Sequence, residues 1–311
     1  MPVDEFLTAA APRITLSTRL LALAAQQLWL RLARTATEPS PSRPVDPPAE
    51  IVVRTRYGNV RCLVFRPHPD APLAGTATSR PPLHIEIHGG GMILRNVHED
   101  NHICRYLASE VGCVVVSVDY HAAPQVFFPV AEHECFDVLA WAVANAEQWG
   151  WDPERISVGG GSAGAKLAVN VAQQAAHAGI GLRAATLAYP LMDLTDIPRT
   201  SPKARPALSP KLLALVRSAY YVDVSIRRDA LASPVFDEHL AQAMPPTLIQ
   251  AGTQDSLLAD AHDLARQLRS GGVDVQLTDY DSDHAFTVDP KSPHLRSSVQ
   301  EIAAFLRARL G

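Results

Sequence analysis

The chain has 311 residues, of which 47% are hydrophobic, and its formal net charge at pH 7 is -4. This length and apolar content can bury a large core, which predicts a folded globular protein. The acidic balance offers no basic surface to a phosphate backbone, so we expect no nucleic-acid partner. The 4 cysteines lack CxxC spacing and lie in or beside apolar stretches, which predicts reduced, structural thiols.

The first predicted element is a helix over residues 14–32, the most apolar stretch near the N-terminus. Two arginines and two glutamines interrupt this stretch, so it is too polar to cross a membrane. We expect it to pack on the fold, with weak attachment to a membrane surface as the alternative. The acidic residues of the opening MPVDEF do not fit the positive start of a signal peptide. The expected location is therefore cytoplasmic.

The proline-rich stretch EPSPSRPVDPP, at residues 38–48, is predicted to be an extended connector because it cannot form a regular helix or a central strand. The core is expected to begin near Ala49. Two β-rich runs, IVVRTR and VRCLVF, flank Tyr57-Gly58-Asn59. A glycine-containing turn between such runs predicts a hairpin of antiparallel strands.

From Leu83 onwards, apolar strands alternate with helical stretches, which is typical of a parallel, doubly wound sheet in an α/β protein. The alternation stops between residues 193 and 233, so we expect an inserted cap there. The predicted strands are LHIEIH, VVVSVD, RISVG, AATLAYP, PTLIQAG and VDVQLTDY. The predicted helices cover residues 99–111, 130–148, 166–178, 212–221, 259–269 and a last stretch that ends near residue 310.

Residues 160–164 read Gly-Gly-Ser-Ala-Gly and match the G-x-S-x-G motif, between a predicted strand and a predicted helix. Such a turn projects the Ser162 hydroxyl beyond the carboxyl end of the sheet, where the following helix N-terminus offers backbone donors. A phosphate-binding loop would need Ser or Thr after Lys166, but a leucine follows it. The motif therefore predicts a nucleophilic serine supported by Gly160 and Gly164.

A second glycine-rich motif, His88-Gly89-Gly90-Gly91, follows the predicted strand LHIEI. Residues without side chains let peptide N–H groups approach a carbonyl oxygen closely, as the stabilisation of a tetrahedral oxyanion requires. The two motifs occur in the order that acyl-transfer enzymes of the α/β-hydrolase fold use. Together they strongly indicate acyl transfer.

A serine nucleophile needs a base and an acid at the same edge of the sheet. Asp255 follows the predicted strand PTLIQAG, and His284 follows VDVQLTDY. The chain order Ser, Asp, His is the one used by this fold, so His284 is the expected base and Asp255 the expected acid. The competing acids, which we expect to be solvated or supporting charges, are Asp260, Asp279, Asp281 and Asp283.

Residues 98–102 read His-Glu-Asp-Asn-His and match H-E-x-x-H, which on a helix binds zinc with the glutamate as base. Glu132, His133 or Glu134 could supply the third ligand. The motif falls at a predicted helix start, where a plain polar N-terminus is the favoured interpretation. A zinc hydrolase stays as a remote alternative.

These motifs resemble the hormone-sensitive-lipase-like family of α/β-hydrolases, and the resemblance runs from about Ile51 to the C-terminus. Further segments that carry it are VVVSVDYHAAPQVFFPVAEHECFDVLAW, ASPVF before MPPTLIQAGTQDSLLAD, and DHAF, which is similar to the family's His-Gly-Phe. Gly161 stands where the family usually has an acidic residue or threonine, Met92 where an aromatic residue is common, and Gln125 where glutamate is common. These departures bear on acyl-chain preference and loop rigidity.

The resemblance implies an α/β-hydrolase fold and a serine carboxylesterase or lipase that cleaves short- to medium-chain esters through an acyl-enzyme. The expected partner is a small-molecule or lipid-like ester, and no metal or organic cofactor is implied. The implied site residues are Ser162 as nucleophile, His284 as base, Asp255 as acid, and the backbone N–H groups of Gly89, Gly90 and Ala163 as oxyanion hole.

The resemblance also implies a helical cap, and so divides the chain into four parts. These are residues 1–48 as N-terminal cap segment and linker, 49–192 and 236–311 as the two parts of the core, and 193–235 as cap insertion. A deacetylase or lactonase could use the same triad. A non-catalytic binding protein is a remote alternative, because the plant gibberellin receptor resembles the family yet has lost catalysis.

Overall fold

The computed structural model describes residues 14–32, 36–76 and 79–311, and an eight-stranded sheet forms the centre of this described part. The strands are β1 (Ala49–Thr55), β2 (Gly58–Phe65), β3 (Pro82–Ile87), β4 (Val114–Asp119), β5 (Asp152–Gly161), β6 (Ala184–Ala188), β7 (Thr247–Gly252) and β8 (Val275–Tyr280). Their order in the sheet is β1-β2-β4-β3-β5-β6-β7-β8. Every neighbouring pair from β4 to β8 is parallel, whereas β2 is antiparallel to both β1 and β4. The predicted α/β class is confirmed.

The predicted hairpin is formed by β1 and β2. Thr55 pairs with Gly58, so Arg56 and Tyr57 are the two turn residues, one position earlier than the sequence indicated. Gly58 has a φ of 124°, a conformation that is open to glycine and strained for other residues. This glycine therefore begins the second strand and is not the centre of the turn.

Helices cover both faces of the sheet. In the described ranges they are α1 (Leu16–Leu32), α2 (Asn101–Glu110), α3 (Val130–Ala144), α4 (Ala146–Trp149), α5 (Ala163–His177), α6 (Pro210–Ala219), α7 (Leu240–Ala243), α8 (Leu258–Ser270) and α9 (Leu295–Leu310). The helix predicted from residue 166 begins at Ala163. Glycine has a low helix propensity, so the sequence did not indicate that the first turn includes Gly164. In the structure, the close packing of this glycine on β3 stabilises that turn.

The core has two layers, one on each face of the sheet. Val116 of β4 belongs to the apolar cluster on the side of α3, α5 and α8, whereas Val115 belongs to the cluster on the side of α2 and α9. Successive side chains of a strand point to opposite faces, so a strand that is buried on both faces needs a continuous apolar run. This explains the run of three valines, residues 114–116, in β4.

Residues 193–235 contain α6 and two short 3-10 turns, and no strand was assigned in this part. Helix α1 packs against α6, and its Gln26 side chain donates hydrogen bonds of 2.8 Å to the carbonyls of Ile93 and Ala123. The other face of α1 exposes Leu16 and Leu20 to solvent. Within the described ranges, none of the helices has the length and apolar character of a membrane span. Contact with a membrane surface stays a prediction.

A fully buried ion pair joins the core to residues 193–235. The Lys166 ammonium of α5 pairs with the Glu132 carboxylate of α3, and both side chains are inaccessible to solvent. The same carboxylate accepts hydrogen bonds from the hydroxyls of Tyr220 at 2.7 Å and Tyr221 at 3.1 Å. Burial lowers the pKa of Lys166, and Glu132 opposes that shift. The two tyrosines, which follow α6, are thus held to the core by one carboxylate.

Replacing Lys166 by methionine is expected to lower the free energy of unfolding by about 3–5 kcal/mol, because it leaves a buried carboxylate without its cation. Urea unfolding followed by circular dichroism measures the change. The matched control is Lys211→Met, which removes the same charge from an exposed position on α6. The control should change stability by less than about 0.5 kcal/mol. Equal effects of the two substitutions would contradict a stabilising role of the buried pair.

Candidate active site

Ser162 occupies a sharp turn between the end of β5 and the start of α5. Its φ of 56° and ψ of -118° are strained for a residue with a side chain. A Cβ atom on Gly164 would lie 1.9 Å from the carbonyl oxygen of Ile87, and one on Gly160 would lie 2.3 Å from the same atom. Only glycine fits at these two positions. The motif glycines therefore let the turn pack directly against the end of β3.

Three predicted side chains meet at the carboxyl edge of the sheet. Nε2 of His284 lies 2.9 Å from Oγ of Ser162, and Nδ1 of the same ring lies 2.7 Å from Oδ2 of Asp255. The Asp255 carboxyl is buried, and its other oxygen accepts a hydrogen bond of 3.0 Å from the Leu257 backbone N–H. A continuous hydrogen-bonded chain thus runs from a buried carboxylate to a serine hydroxyl.

The loop that holds His284 is shaped by two further residues. Ala285 has a φ of 65°, a left-handed conformation that explains the glycine at this place in the family's His-Gly-Phe. The ring of Tyr189, at the end of β6, contacts the His284 ring edge-on at a centroid distance of 4.9 Å. Its hydroxyl forms a short hydrogen bond with Thr287. The imidazole is therefore held by a ring contact as well as by Asp255.

The His88–Gly91 loop lies directly beside the serine. A Cβ atom on Gly89 would be 3.7 Å from Cβ of Ser162, and Gly90 and Gly91 both have positive φ, at 106° and 61°. The buried His88 ring stacks on Tyr120 with centroids 4.4 Å apart, and burial lowers its pKa to about 4. His88 is thus neutral and structural. The loop is rigid because the Tyr120 hydroxyl donates to the carbonyls of His88 and Gly89, both at 3.0 Å.

A second serine–histidine–carboxylate chain exists, which the sequence did not indicate. Nδ1 of His84 lies 2.8 Å from Oγ of Ser157, and Nε2 of the same ring lies 2.8 Å from Oε2 of Glu86. All three side chains are buried inside the sheet layer, and none lines the cavity that contains Ser162. The cavity therefore opens onto Ser162 and not onto Ser157. This chain is therefore a structural network.

The competing acids are bound elsewhere. Asp260 is buried, pairs with Arg199 at 2.9 Å, and accepts a hydrogen bond from the Met192 backbone, so it supports the start of residues 193–235. Asp279 pairs with His262. Asp283 accepts a hydrogen bond from the His284 backbone N–H at 2.7 Å and Asp281 accepts one from Gln254 at 2.6 Å. Each has a structural partner, and none touches a ring nitrogen of His284.

The H-E-x-x-H match does not form a helical turn. Helix α2 begins at Asn101, so His98 precedes it and is exposed, whereas His102 is buried. Nε2 of His102 donates a hydrogen bond of 2.8 Å to the Thr287 carbonyl. Across the described ranges, no three His, Cys, Asp or Glu side chains are grouped as metal ligands would be. The geometry gives the zinc alternative no support.

A cavity of about 170 Å³ opens onto Ser162 and His284. The sequence predicted a cap from residues 1–48 and 193–235 but not which side chains line the cavity, because these come from separate parts of the chain. Nine of the 21 lining residues are apolar side chains of α1, of the loop after β3 and of residues 207–216; these are Ala25, Trp29, Ile93, Leu94, Ala207, Leu208, Leu212, Leu213 and Val216. Glu99 and Asp100 of the H-E-x-x-H match also line it.

Comparison with known proteins identifies the family. Residues 84–288 match a family model described as alpha/beta hydrolase fold. The chain belongs to this family. An acetyl esterase of Salmonella paratyphi B is 30% identical over 83% of this chain and 79% of its own. An ethyl acetate hydrolase of Pseudomonas putida is 30% identical over 74% of this chain and 72% of its own.

Solved structures agree with this assignment. An esterase of Pyrobaculum calidifontis superimposes with a TM-score of 0.78 at 28% identity, over 98% of this chain and 97% of that one. The carboxylesterase EstE1 from a metagenomic library has a TM-score of 0.79 at 24% identity, over 95% and 97%. The resemblance to the hormone-sensitive-lipase-like α/β-hydrolases is thereby confirmed, and the hydrolase is an enzyme of the carboxylesterase type.

Proposed function

We propose that this hydrolase cleaves short-chain carboxylic esters by two-step acyl transfer, with Ser162 as nucleophile, His284 as base and Asp255 as orienting acid. The observation that carries the proposal is the hydrogen-bonded chain from Asp255 through His284 to Ser162, which opens onto a cavity. A nucleophile, a base and a group that orients the base are the parts that this chemistry needs.

In the first step, His284 takes the proton of Ser162 as the serine oxygen attacks the ester carbonyl carbon. The protonated imidazole then gives this proton to the leaving alcohol, and the acyl group stays on Ser162. A water molecule repeats the sequence, releases the acid and restores the serine. Asp255 holds the imidazole in the tautomer with a proton on Nδ1 and stabilises its cation.

The backbone N–H groups of Gly89, Gly90 and Ala163 are proposed to bind the oxyanion. Two facts support this assignment: the Gly89 peptide lies beside Ser162, and Ala163 is the first residue of α5, where backbone N–H groups have no helical partner. One donor of this kind is worth about 2.7–4 kcal/mol in the transition state. His88 and Gly91 support the loop and take no part in the reaction.

The size of the cavity favours short esters. A cavity of about 170 Å³ is close to the ~150 Å³ that holds one benzene ring in an engineered apolar site. The relatives named as acetyl esterase and ethyl acetate hydrolase point to small acyl groups as well. We therefore place the preferred substrate at the short end of the short- to medium-chain range.

We further propose that α1 and residues 193–235 form a cap over the core, which comprises residues 49–192 and 236–311. Trp29 of α1 and Leu213 of α6 line the cavity above Ser162, and the two helices pack against each other. Because these side chains close the cavity opposite the sheet, they set the length of the acyl chain that fits.

Trp29→Ala is expected to shift the preference towards longer acyl chains, because it removes a large side chain from the cavity wall. The measurement is kcat/KM for p-nitrophenyl esters from acetate to dodecanoate. The wild-type enzyme should be most active on acetate or butyrate. In the variant, the ratio of octanoate to acetate activity should rise by about tenfold, which is within the range for a few methylenes.

The matched control is Leu28→Ala. Leu28 is the neighbour of Trp29 on α1, but it is exposed and does not line the cavity. Its removal should leave the chain-length profile unchanged. A parallel change in both variants would argue that α1 only stabilises the fold, and hydrolysis of none of the esters would contradict the proposed function.

A further inference from the structure

The cavity that contains Ser162 and His284 also contains two carboxyl groups, from Glu99 and Asp100. Among the described residues that line it, none is an arginine or a lysine. Neither carboxyl belongs to an ion pair with a described residue. A largely apolar cavity therefore contains two carboxyl groups without a lysine or arginine beside them in the described part of the chain.

Glu99 lies next to the reacting serine. Its Oε2 atom is 3.4 Å from the place that a Cβ atom of Gly89 would take, and that place is 3.7 Å from Cβ of Ser162. The carboxyl is thus within the length of a small ester from the nucleophile. It lines the cavity, so a bound molecule can reach it although the group is largely removed from water.

Asp100 differs from Glu99 in burial and charge. Its side chain is buried, and Oδ2 has no hydrogen-bond partner among the described residues. Burial raises the pKa of Asp100 well above its usual value, and the neighbouring carboxylates of Glu86 and Glu99 raise it further. Glu86 already has a partner in His84. Its surroundings therefore disfavour the charged form of Asp100, and Glu99 is the carboxyl of the cavity that lies beside the serine.

Burial disfavours the ionised form of Glu99. Burial raises the pKa of Glu99 to about 7, although His284 in its cationic form and the Gly89 backbone lower it. A carboxylate that is removed from water is stabilised strongly by a cation within reach. A positive group on a substrate would supply that cation. Trp29 and Tyr189 line the same cavity, and aromatic faces attract quaternary ammonium groups.

We propose that Glu99 is a specificity-determining residue that selects esters carrying a quaternary ammonium group a few bonds from the ester carbonyl. The inference rests on the proposed function of Ser162, since it names the class of ester that the same site prefers. Glu99 binds the cation, and the serine chemistry is unchanged. No additional covalent step is involved.

The test compares esters that differ only in charge. In the first pair, the quaternary ammonium group is on the alcohol side: acetylcholine is compared with its uncharged analogue 3,3-dimethylbutyl acetate. In the second pair, this group is on the acyl side: methyl 4-(trimethylammonio)butanoate is compared with its uncharged analogue methyl 5,5-dimethylhexanoate. At pH 8, kcat/KM should favour the cation by about tenfold in at least one pair, as expected of one ion contact in a partly desolvated cavity. At pH 6 this ratio should fall towards one, because most of Glu99 is then protonated. Protonation of His284 slows both esters of a pair by the same factor, so it does not change their ratio.

Glu99→Gln should bring the ratio at pH 8 close to one. The control Glu238→Gln removes the same charge from an exposed position outside the cavity, and it should keep the wild-type ratio. If Glu99 acted instead as a protonated donor to the oxyanion, both members of a pair would slow equally and the ratio would not change. That result, or a wild-type ratio of one or less in both pairs, would overturn the proposal.

Calorimetric binding of tetramethylammonium at pH 8 keeps the inference separate from the proposed function, because it needs no turnover. Wild-type protein should bind this ion at least about tenfold more tightly than the Glu99→Gln variant, because the variant lacks the charge that attracts the ion. Equal affinities overturn the role of Glu99 even if the neutral esters are hydrolysed. Conversely, if none of the esters is hydrolysed, the role of Ser162 is contradicted. The difference in tetramethylammonium affinity would then still decide the role of Glu99.

Discussion

Ser162→Ala is expected to fold like the parent enzyme and to lose about a million-fold in kcat on p-nitrophenyl acetate, because it removes the oxygen on which we propose that the acyl-enzyme forms. What remains is catalysis by the oxyanion donors and substrate binding alone. Labelling by a fluorophosphonate should disappear with the activity, since that reagent reacts with the same oxygen. The two measurements are steady-state hydrolysis and the mass of the labelled protein.

The matched control is Ser157→Ala, which removes the serine of the buried chain with His84 and Glu86. Ser157 lies on β5, five positions before Ser162 in the sequence, but its side chain is fully buried. The control should retain labelling and most of the activity, although the loss of a buried hydrogen bond should cost about 1–3 kcal/mol of stability. Labelling that survives in Ser162→Ala and disappears in Ser157→Ala would reverse the assignment of the nucleophile.

Asp255→Asn should reduce kcat by about ten-thousand-fold while the fold stays intact. An amide at this place can donate a hydrogen bond to Nδ1 of His284 and so favours the tautomer with its proton on Nε2. That tautomer cannot accept the proton of Ser162. The variant also lacks the negative charge that stabilises the imidazolium formed during the reaction. Hydrolysis of p-nitrophenyl acetate measures the loss.

Asp260→Asn controls for the removal of a buried carboxylate near the same edge of the sheet. Its partner is Arg199, so this variant should lose stability, which the unfolding midpoint reports. Its kcat per folded molecule should change far less than that of Asp255→Asn. If Asp260→Asn were the more damaging change in kcat, the assignment of the acid to Asp255 would be wrong.

The sequence by itself was sufficient for the fold class and for the two glycine-rich motifs. Apolar runs such as VVVSVD predict buried parallel strands because both of their faces must be covered, and this requirement is local to the strand. The sharp turn could be predicted from Gly160 and Gly164 in the same way, since a sharp turn between a strand and a helix excludes side chains wherever it occurs. Element ends were less accurate, as the start of α5 shows, because packing on β3 outweighs the low helix propensity of glycine there.

Only the tertiary structure decided which groups share the cavity. Trp29 and Glu99 are 70 positions apart in the numbering, and the H-E-x-x-H match around Glu99 indicated a zinc site or a helix start, not a place beside Ser162. The H-E-x-x-H match likewise depends on the helix boundary, which falls between its two histidines. Strand and turn signals depend on neighbours in the sequence, whereas a cavity wall depends on distant segments brought together by burial. The sharp turn that carries Ser162 was therefore predictable from the sequence, and the place of Glu99 in the same cavity was not.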